Sequence, residues 1–408
     1  MKKRFLSLGL AMAMAASLTA CGGSGSASTT TAAAGEAKAE GESKAAESSA
    51  AADGASFKIG GIGPVTGGAA VYGLAVQHGA EIAVEEINAA GGINGYQVEF
   101  KFQDDEADAE KSVNAYNALK DWGAQIIDGS TTSGACIAVT DKTKEDNMFQ
   151  ITPSGSAVEC VQYDNNFRVC FSNPNQGLAS AQYIGENGLA EKIAVIYDSS
   201  DVYSSGIYDK FVKEAENQPF EVVAAEAFTA DNKTDFSVQL QKAKDAGADM
   251  VFLPIYYQES ALILTQAAAM GYAPKWFSCD GMDGILGGVD NFDVSLTEGV
   301  MLLTPFAADA TDDLTQSFVT KYKEKYGDTP NQFAADSYDA IYVIKAAIEK
   351  SGVTPDMSVS DICDGMKAAM TEITVDGLTG NGMTWTADGE ANKAPKAVVI
   401  ENGAYKAM

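Results

Sequence analysis

Histidine is almost absent: of 408 residues only His78 carries an imidazole. A Ser/His/Asp relay needs its nucleophile and orienting acid around that one ring, and no Gly-x-Ser-x-Gly elbow accompanies it. His78 lies in a helical pattern beside Gly79 and Ala80, and reads as a helix-surface or lobe-contact residue. The six cysteines form no C-x-x-C pair, and with no second histidine a zinc site has no ligand set. Nucleotide motifs are missing as well. The run Gly61-Ile62-Gly63-Pro64-Val65-Thr66-Gly67-Gly68 departs from G-x-G-x-x-G spacing, and no Walker A pattern occurs. Basic residues are scarce, 28 Lys and Arg against 56 Asp and Glu, so the surface repels phosphate backbones and nucleic acid is not expected as a partner. Neither a metal nor a cofactor is expected, and nothing points to an enzyme.

What is present suits a large soluble fold. Apolar residues make up 46% and charged residues 21%, and 408 residues exceed one ordinary core, which predicts two packed lobes plus tails. Lys2, Lys3 and Arg4 precede an apolar run over residues 5–16, the layout of an export signal and too short for a permanent membrane span. The run leads to Leu18-Thr19-Ala20-Cys21, which resembles the lipobox of bacterial lipoproteins and implies cleavage before a lipidated Cys21. Residues 22–55 are almost wholly Gly, Ser, Ala, Thr, Glu and Lys and read as a flexible tether. The expected location is extracytoplasmic, lipid-anchored to the outer face of the cell membrane, or periplasmic in a cell with two membranes. Export permits disulfides. Five cysteines remain after Cys21, so at least one stays unpaired in a monomer, and Cys160 with Cys170 is the expected pair among Cys136, Cys160, Cys170, Cys279 and Cys363.

From Phe57 onward strand and helix patterns alternate. Residues 57–63, 97–105, 124–129, 148–153, 193–198, 250–256, 275–280 and 300–304 read as strands, and helical stretches such as 76–89 and 109–122 lie between them. Repeated βα units predict an α/β fold with doubly wound parallel sheets. In such sheets ligands bind beyond the carboxyl ends of the strands, which selects the loops that matter.

Small hydroxyl residues gather there. Ser130-Thr131-Thr132-Ser133-Gly134 follows one strand and Ser154-Gly155-Ser156 another. Both runs offer hydroxyls and backbone N–H groups to a carboxylate, and both also suit plain helix capping. No basic residue accompanies them, so an anion there would be held by dipoles and hydrogen bonds. Asp280 ends a further strand, where it would neutralise an ammonium or cap a turn. Tyr72, Tyr203, Tyr256 and Tyr257 also fall at strand ends, as pocket walls or as packing within their own lobe.

The segment GPVTGGAAVYG followed by GAEIAVEEINAAGGINGYQVE, residues 63–99, resembles the opening of the branched-chain amino-acid-binding proteins, the type I periplasmic binding proteins that serve ATP-driven importers. IIDGSTTSGA, ITPSGSA, IYDSSDVYSSG, FLPIYYQESALILTQAAAMGY and FAADSYDAIYVIKAA follow in the family's order, and GNGMTWTADGEANKAPKAVVIENGAYK resembles its closing strand pair. The resemblance implies two lobes joined by three hinge crossings near Asn173, Pro305 and Thr386, with residues 56–173 and 305–385 in one lobe and 174–304 and 386–408 in the other. Carried over by residue, it implies that Ser133 and Ser156 bind a ligand carboxylate beside the main chain of Ser154. It likewise implies that Asp280 binds the ammonium, that Tyr203 closes over the ligand, and that Tyr72, Tyr256 and Phe333 wall the side-chain pocket, with Tyr257 a substitute for Tyr256. The family often has Glu where Asp280 stands, one methylene longer, and Glu106 stands where some relatives carry a cysteine.

The implied function is a monomeric lipoprotein that captures a free amino acid, branched-chain or related and apolar, and passes it to the permease of an ABC importer. A sensor of an amino acid, amide or aromatic acid that signals to a membrane protein is the alternative. A hydrolase is the third reading, and it lacks a nucleophile and base pair.

Overall fold

The computed structural model describes residues 54–408. The export signal, Cys21 and the tether up to residue 53 lie outside the described residues.

Two sheets carry the fold. The first is fully parallel and orders β2 (Gln97–Asp104), β1 (Ser56–Gly63), β3 (Ile126–Asp128), β4 (Phe149–Thr152) and β5 (Asn166–Arg168). In register, Ile59 of β1 stands between Phe100 and Ile126. The second sheet orders β14 (Ala404–Ala407), β13 (Lys396–Glu401), β10 (Met301–Thr304), β9 (Lys275–Ser278), β8 (Met250–Leu253), β6 (Lys192–Asp198) and β7 (Glu221–Phe228). There β6 to β10 run parallel, while β13 pairs antiparallel with β10, and β14 with β13. Helices on both faces explain why the central strands are continuous apolar runs: Met-Val-Phe-Leu of β8 is wholly buried.

The helix patterns hold with one extension. The stripe at 76–89 belongs to α1 (Ala70–Ala89), which starts earlier and so puts Tyr72 on its first turn. Asp108 caps α2 (Ala109–Trp122) by accepting from Lys111 N at 2.9 Å, and Gly123 ends it in the left-handed conformation at φ 93°. α1 packs on α9 (Gln332–Ser351), whose first turn Asn331 caps. Their backbones approach so closely at Gly79 that a Cβ there would lie 2.0 Å from the Ala334 carbonyl oxygen. His78, on the same helix, stacks on Tyr326 with ring centroids 3.6 Å apart.

The chain passes between the two sets of elements three times: between β5 and α4 (Asn173–Glu186), which packs on α5 (Val202–Ala215); between β10 and α8 (Asp313–Tyr326); and before β13. Trp385 and Gly389 still hold β5, Trp385 Nε1 donating to Arg168 O at 2.8 Å and Gly389 O accepting from Arg168 N at 3.0 Å, and Ala391–Asn392 pair back antiparallel on Thr384–Trp385, so the last passage runs through residues 393–395.

The expected Cys160–Cys170 disulfide does not form; all five described cysteines are free and buried. Cys160 lies on a 3-10 turn, Val158–Val161, that packs Cys160 against Cys136, and its thiol donates to Ser133 O at 3.7 Å. Cys170 lies past the end of β5, outside that cluster.

Candidate functional site

Both sheets direct the carboxyl ends of their strands at one small cavity, of about 20 Å³. Its walls come from the loops after β3, β4, β6, β8 and β9 and from the first turns of α1 and α9. That placement follows from parallel strand direction, since every βα loop emerges at the same sheet edge.

At one end the chain leaves β3 and enters α3 (Ser133–Asp146). Ser133 Oγ does not cap that helix; it accepts from Ser156 N and Ala157 N, each at 3.1 Å, and joins the loops after β3 and β4. Thr132, at the N-cap position, makes no capping bond, and its buried hydroxyl has no partner. Ser154 donates to Thr131 O at 2.6 Å. Behind the loop, Arg168 is fully buried and donates to the carbonyls of Gly155 (3.2 Å) and Ala157 (2.8 Å), fixing the loop backbone from below. The first N–H groups of α3 have no acceptor within the helix, so this end is a positive pole without a formal charge.

At the other end Asp280 opens a 3-10 turn after β9. Its Oδ1 accepts from the Tyr203 hydroxyl at 2.6 Å, and its Oδ2 from Gln176 Nε2 on α4 at 2.7 Å. Burial pushes its carboxyl up to about 7 against those two bonds, with Asp336 nearby adding in the same direction. No Lys, Arg or His lines the cavity, so within it Asp280 faces no cation.

Aromatic rings close the remainder. Tyr203 stacks on Tyr256 at 5.0 Å and 13°, and Tyr72 meets Tyr256 edge-on at 5.5 Å and Phe333 at 4.5 Å. The phenols of Tyr72, Tyr203 and Tyr256 are held neutral by burial. Tyr72 bridges the sheets: its hydroxyl donates to Gly281 O and accepts from Tyr257 N at 3.2 Å. Gln332 at the start of α9 makes a second bridge, Nε2 donating to Asp280 O at 3.0 Å. These bonds tie the elements of the two sheets together beside the cavity.

Of the residues singled out from the sequence, Tyr72, Ser133, Ser154, Tyr203, Tyr256, Asp280 and Phe333 line this one cavity. Ser156 and Tyr257 do not: Ser156 stands behind Ser133, and Tyr257 packs edge-on against the far side of Tyr72 at 5.1 Å. Thr131, Thr132 and Gly281 complete the wall. The two threonines belong to the hydroxyl run already visible in the sequence. Gln176 was not legible, because a glutamine inside a helix carries no local signal of the carboxylate it will meet.

The family model of periplasmic binding proteins matches residues 56–404. The chain is 31% identical over 304 residues to Leu/Ile/Val-binding protein homolog 3 of Brucella melitensis, covering 74% of this chain and 81% of that one. It is also 31% identical over 314 residues to the leucine-, isoleucine-, valine-, threonine-, and alanine-binding protein of Pseudomonas aeruginosa, covering 75% and 81%. Among solved structures, the branched-chain amino acid transporter substrate binding protein LivJ of Streptococcus pneumoniae, in complex with isoleucine, superposes with a TM-score of 0.77 at 28% identity, covering 86% of this chain and 99% of that one. With nearly the whole described chain matched in sequence and in fold, the protein belongs to the periplasmic binding protein family, among the relatives of the Leu/Ile/Val-binding proteins.

Proposed function

We propose that the protein is an extracytoplasmic solute-binding lipoprotein, anchored through Cys21, that captures a free amino acid, branched-chain or related and apolar, and delivers it to an ABC importer. The observation that carries this reading is the pairing, in one cavity, of a helix N-terminus and the unpartnered Thr132 hydroxyl at one end with a buried aspartate that faces no cation at the other. A zwitterion supplies the two missing partners: its carboxylate meets Thr132, Ser133 and the first N–H groups of α3, and its ammonium meets Asp280. The rings of Tyr72, Tyr203, Tyr256 and Phe333 supply the apolar part of the wall, against which an aliphatic side chain would lie.

We take residues 56–173 and 305–392 as one lobe and 174–304 and 396–408 as the other, with 393–395 the last passage between them. Thr132 and Ser133 then belong to the first lobe and Asp280 to the second, so only a closed protein engages both poles of the ligand, and binding shifts the population toward closure. Relatives named for binding Leu, Ile and Val support the aliphatic preference. A thermal-shift panel of the common amino acids tests the proposal, since a ligand that binds only the folded state raises its apparent stability. Leucine, isoleucine or valine is expected to give the largest shift. The reading fails if no amino acid shifts the transition, or if 4-methylpentanoate or isopentylamine, each lacking one pole, matches leucine.

Two outcomes follow from the same geometry. Ser133→Ala removes a hydroxyl from the carboxylate pole and leaves two buried N–H groups without an acceptor. It should weaken ligand binding by about 1 to 3 kcal/mol and also lower stability in the ligand-free protein. Calorimetric affinity and urea unfolding read these separately. Second, the ligand needs Asp280 ionised, and in the empty site that carboxyl titrates at about 7. Ammonium binding lowers its pKa, so below pH 7 a proton must leave as ligand enters. Affinity should fall by up to about tenfold per pH unit below 7 and level off above it. Titrations in buffers of different ionisation heat would show the released proton at pH 6 and none at pH 8.

A further inference from the structure

Two packed helices each send one donor to Asp280: the Tyr203 hydroxyl of α5 reaches Oδ1 at 2.6 Å, and Gln176 Nε2 of α4 reaches Oδ2 at 2.7 Å. Gln176 also accepts, through Oε1, from the Asp280 main-chain N–H at 3.4 Å, so one buried amide grips both the side chain and the backbone of the aspartate. A carboxylate offers about four lone-pair directions, and these two donors leave the others for an ammonium. Both donors are neutral. They fix the carboxylate without cancelling its charge, which a lysine or arginine in either place would do. Burial raises the Asp280 carboxyl to about 7 with both bonds in place, and each bond pulls against that rise. Around it stand the phenols of Tyr72 on α1 and Tyr256 after β8, the thiols of Cys170 and Cys279, and Asp336 on α9 paired with Lys393. Burial holds those phenols and thiols neutral, so the Asp336–Lys393 pair supplies the other charges.

We propose that Gln176 is the positioning residue of the ammonium site: its amide aims Asp280 and keeps it available as a carboxylate, while leaving the negative charge for the ligand. The inference rests on the reading of Asp280 as the acid that meets the ligand ammonium, and it gives a reason for a glutamine at this place. An apolar side chain would leave Oδ2 desolvated without a donor, and the acid would hold its proton more tightly. A cationic side chain would satisfy Oδ2 by itself, and the ligand ammonium would then meet a neutralised pair. Gln176 sits near the start of α4, just past the passage from β5. α4 packs against the second sheet, which also carries Asp280, so the grip on the carboxylate needs nothing from the first sheet. The ammonium pole is thus assembled ahead of closure, which lowers the cost of ordering it when ligand arrives.

The test compares Gln176→Met and Gln176→Lys with the native full chain. In Gln176→Met leucine affinity should fall, and the fall should be about fivefold greater at pH 7 than at pH 9, the ratio that a rise of about one unit in the Asp280 pKa gives for its ionised fraction. 4-Methylpentanoate, which lacks an ammonium, should bind no more weakly than to the native protein. In Gln176→Lys leucine should lose about a hundredfold and 4-methylpentanoate should become the better ligand, because the lysine takes the place of the ligand ammonium. Gln176→Lys retains a donor and carries the test if Gln176→Met does not fold. Equal weakening of leucine and 4-methylpentanoate in Gln176→Met, with no pH dependence, would make the amide a support of the fold alone and overturn the proposal. A preference for leucine that survives in Gln176→Lys overturns it too. Carbon-13 NMR of the aspartate carboxyls in the ligand-free protein, with Asp280→Asn identifying the signal, reads the same effect without any ligand. The Asp280 titration should move upward in Gln176→Met, and an unmoved titration sinks the proposal. Failure of the function proposed above would show differently, as unchanged leucine affinity in Asp280→Asn.

Discussion

Replacing Asp280 by alanine is expected to weaken amino-acid binding by about 2 to 5 kcal/mol, because the ligand ammonium would enter a buried space with no counter-charge. Alanine also removes the acceptor for the Tyr203 hydroxyl and the Gln176 amide, so part of the loss would reflect those two donors rather than the ammonium. Asparagine separates the effects. It keeps the shape, and a side-chain oxygen can still accept from Tyr203. Because Asp280 is a buried carboxylate with its pKa raised to about 7, folding at pH 8 must hold it ionised at a cost. Asp280→Asn should therefore leave the ligand-free protein at least as stable at pH 8 while leucine affinity collapses. The same substitution should improve binding of 4-methylpentanoate, which has no ammonium and is repelled by the native carboxylate. Unchanged leucine affinity in a folded Asp280→Asn protein would remove the ammonium from this residue, and with it the proposed orientation of the ligand.

The strands that were legible in the sequence are those with a continuous apolar run, such as β6, β8 and β10, because both of their faces are covered by helices. β5 and β7 left no such trace, and both lie at sheet edges. β5 is three residues, Asn-Phe-Arg, buried through hydrogen bonds as much as through side-chain polarity, and β7 reads Glu-Val-Val-Ala-Ala-Glu-Ala-Phe with most positions partly exposed. The closing pair β13 and β14 was legible only through family resemblance, since βα alternation predicts parallel neighbours and these two are antiparallel. At the site, strand-end logic selected Ser133 and Asp280, whose chemistry is local. It did not select Gln176 or Gln332, whose partners lie 104 and 52 residues away along the chain. Two hydroxyl runs at neighbouring strand ends look equivalent in sequence, and only the packed loop shows that Ser133 Oγ takes the Ser156 N–H while Ser133 and not Ser156 lines the cavity.

Lys393→Met is the second substitution with a large expected effect, and it acts on the frame between the two sheets. Lys393 lies in the last passage toward β13, and its ammonium donates to Asp336 of α9 at 2.8 Å and to Thr379 at 2.9 Å, over the Phe171 ring at 5.3 Å. Both members of the ion pair are buried, with 1% and 3% of their side chains exposed. Removing one partner of such a pair typically costs about 3 to 5 kcal/mol, since the other charge stays desolvated. The loss should depend on pH in a defined sense. Burial already raises the Asp336 pKa against the pull of Lys393, and without the lysine it rises further. A carboxylate with a raised folded-state pKa binds more protons folded than unfolded, so stability falls as pH climbs from the unfolded value to the folded one. The deficit of Lys393→Met should therefore be largest at high pH and shrink as pH falls and the raised Asp336 carboxyl takes up a proton. Adding Asp336→Leu should recover most of the lost stability at pH 8, because an apolar pair of similar volume replaces two buried charges without leaving either alone. Urea unfolding of the three proteins at pH 8 and at lower pH measures this directly. A deficit that does not change with pH, or a double variant no better than the single one, would show that Lys393 acts through packing on Phe171 and not through its charge.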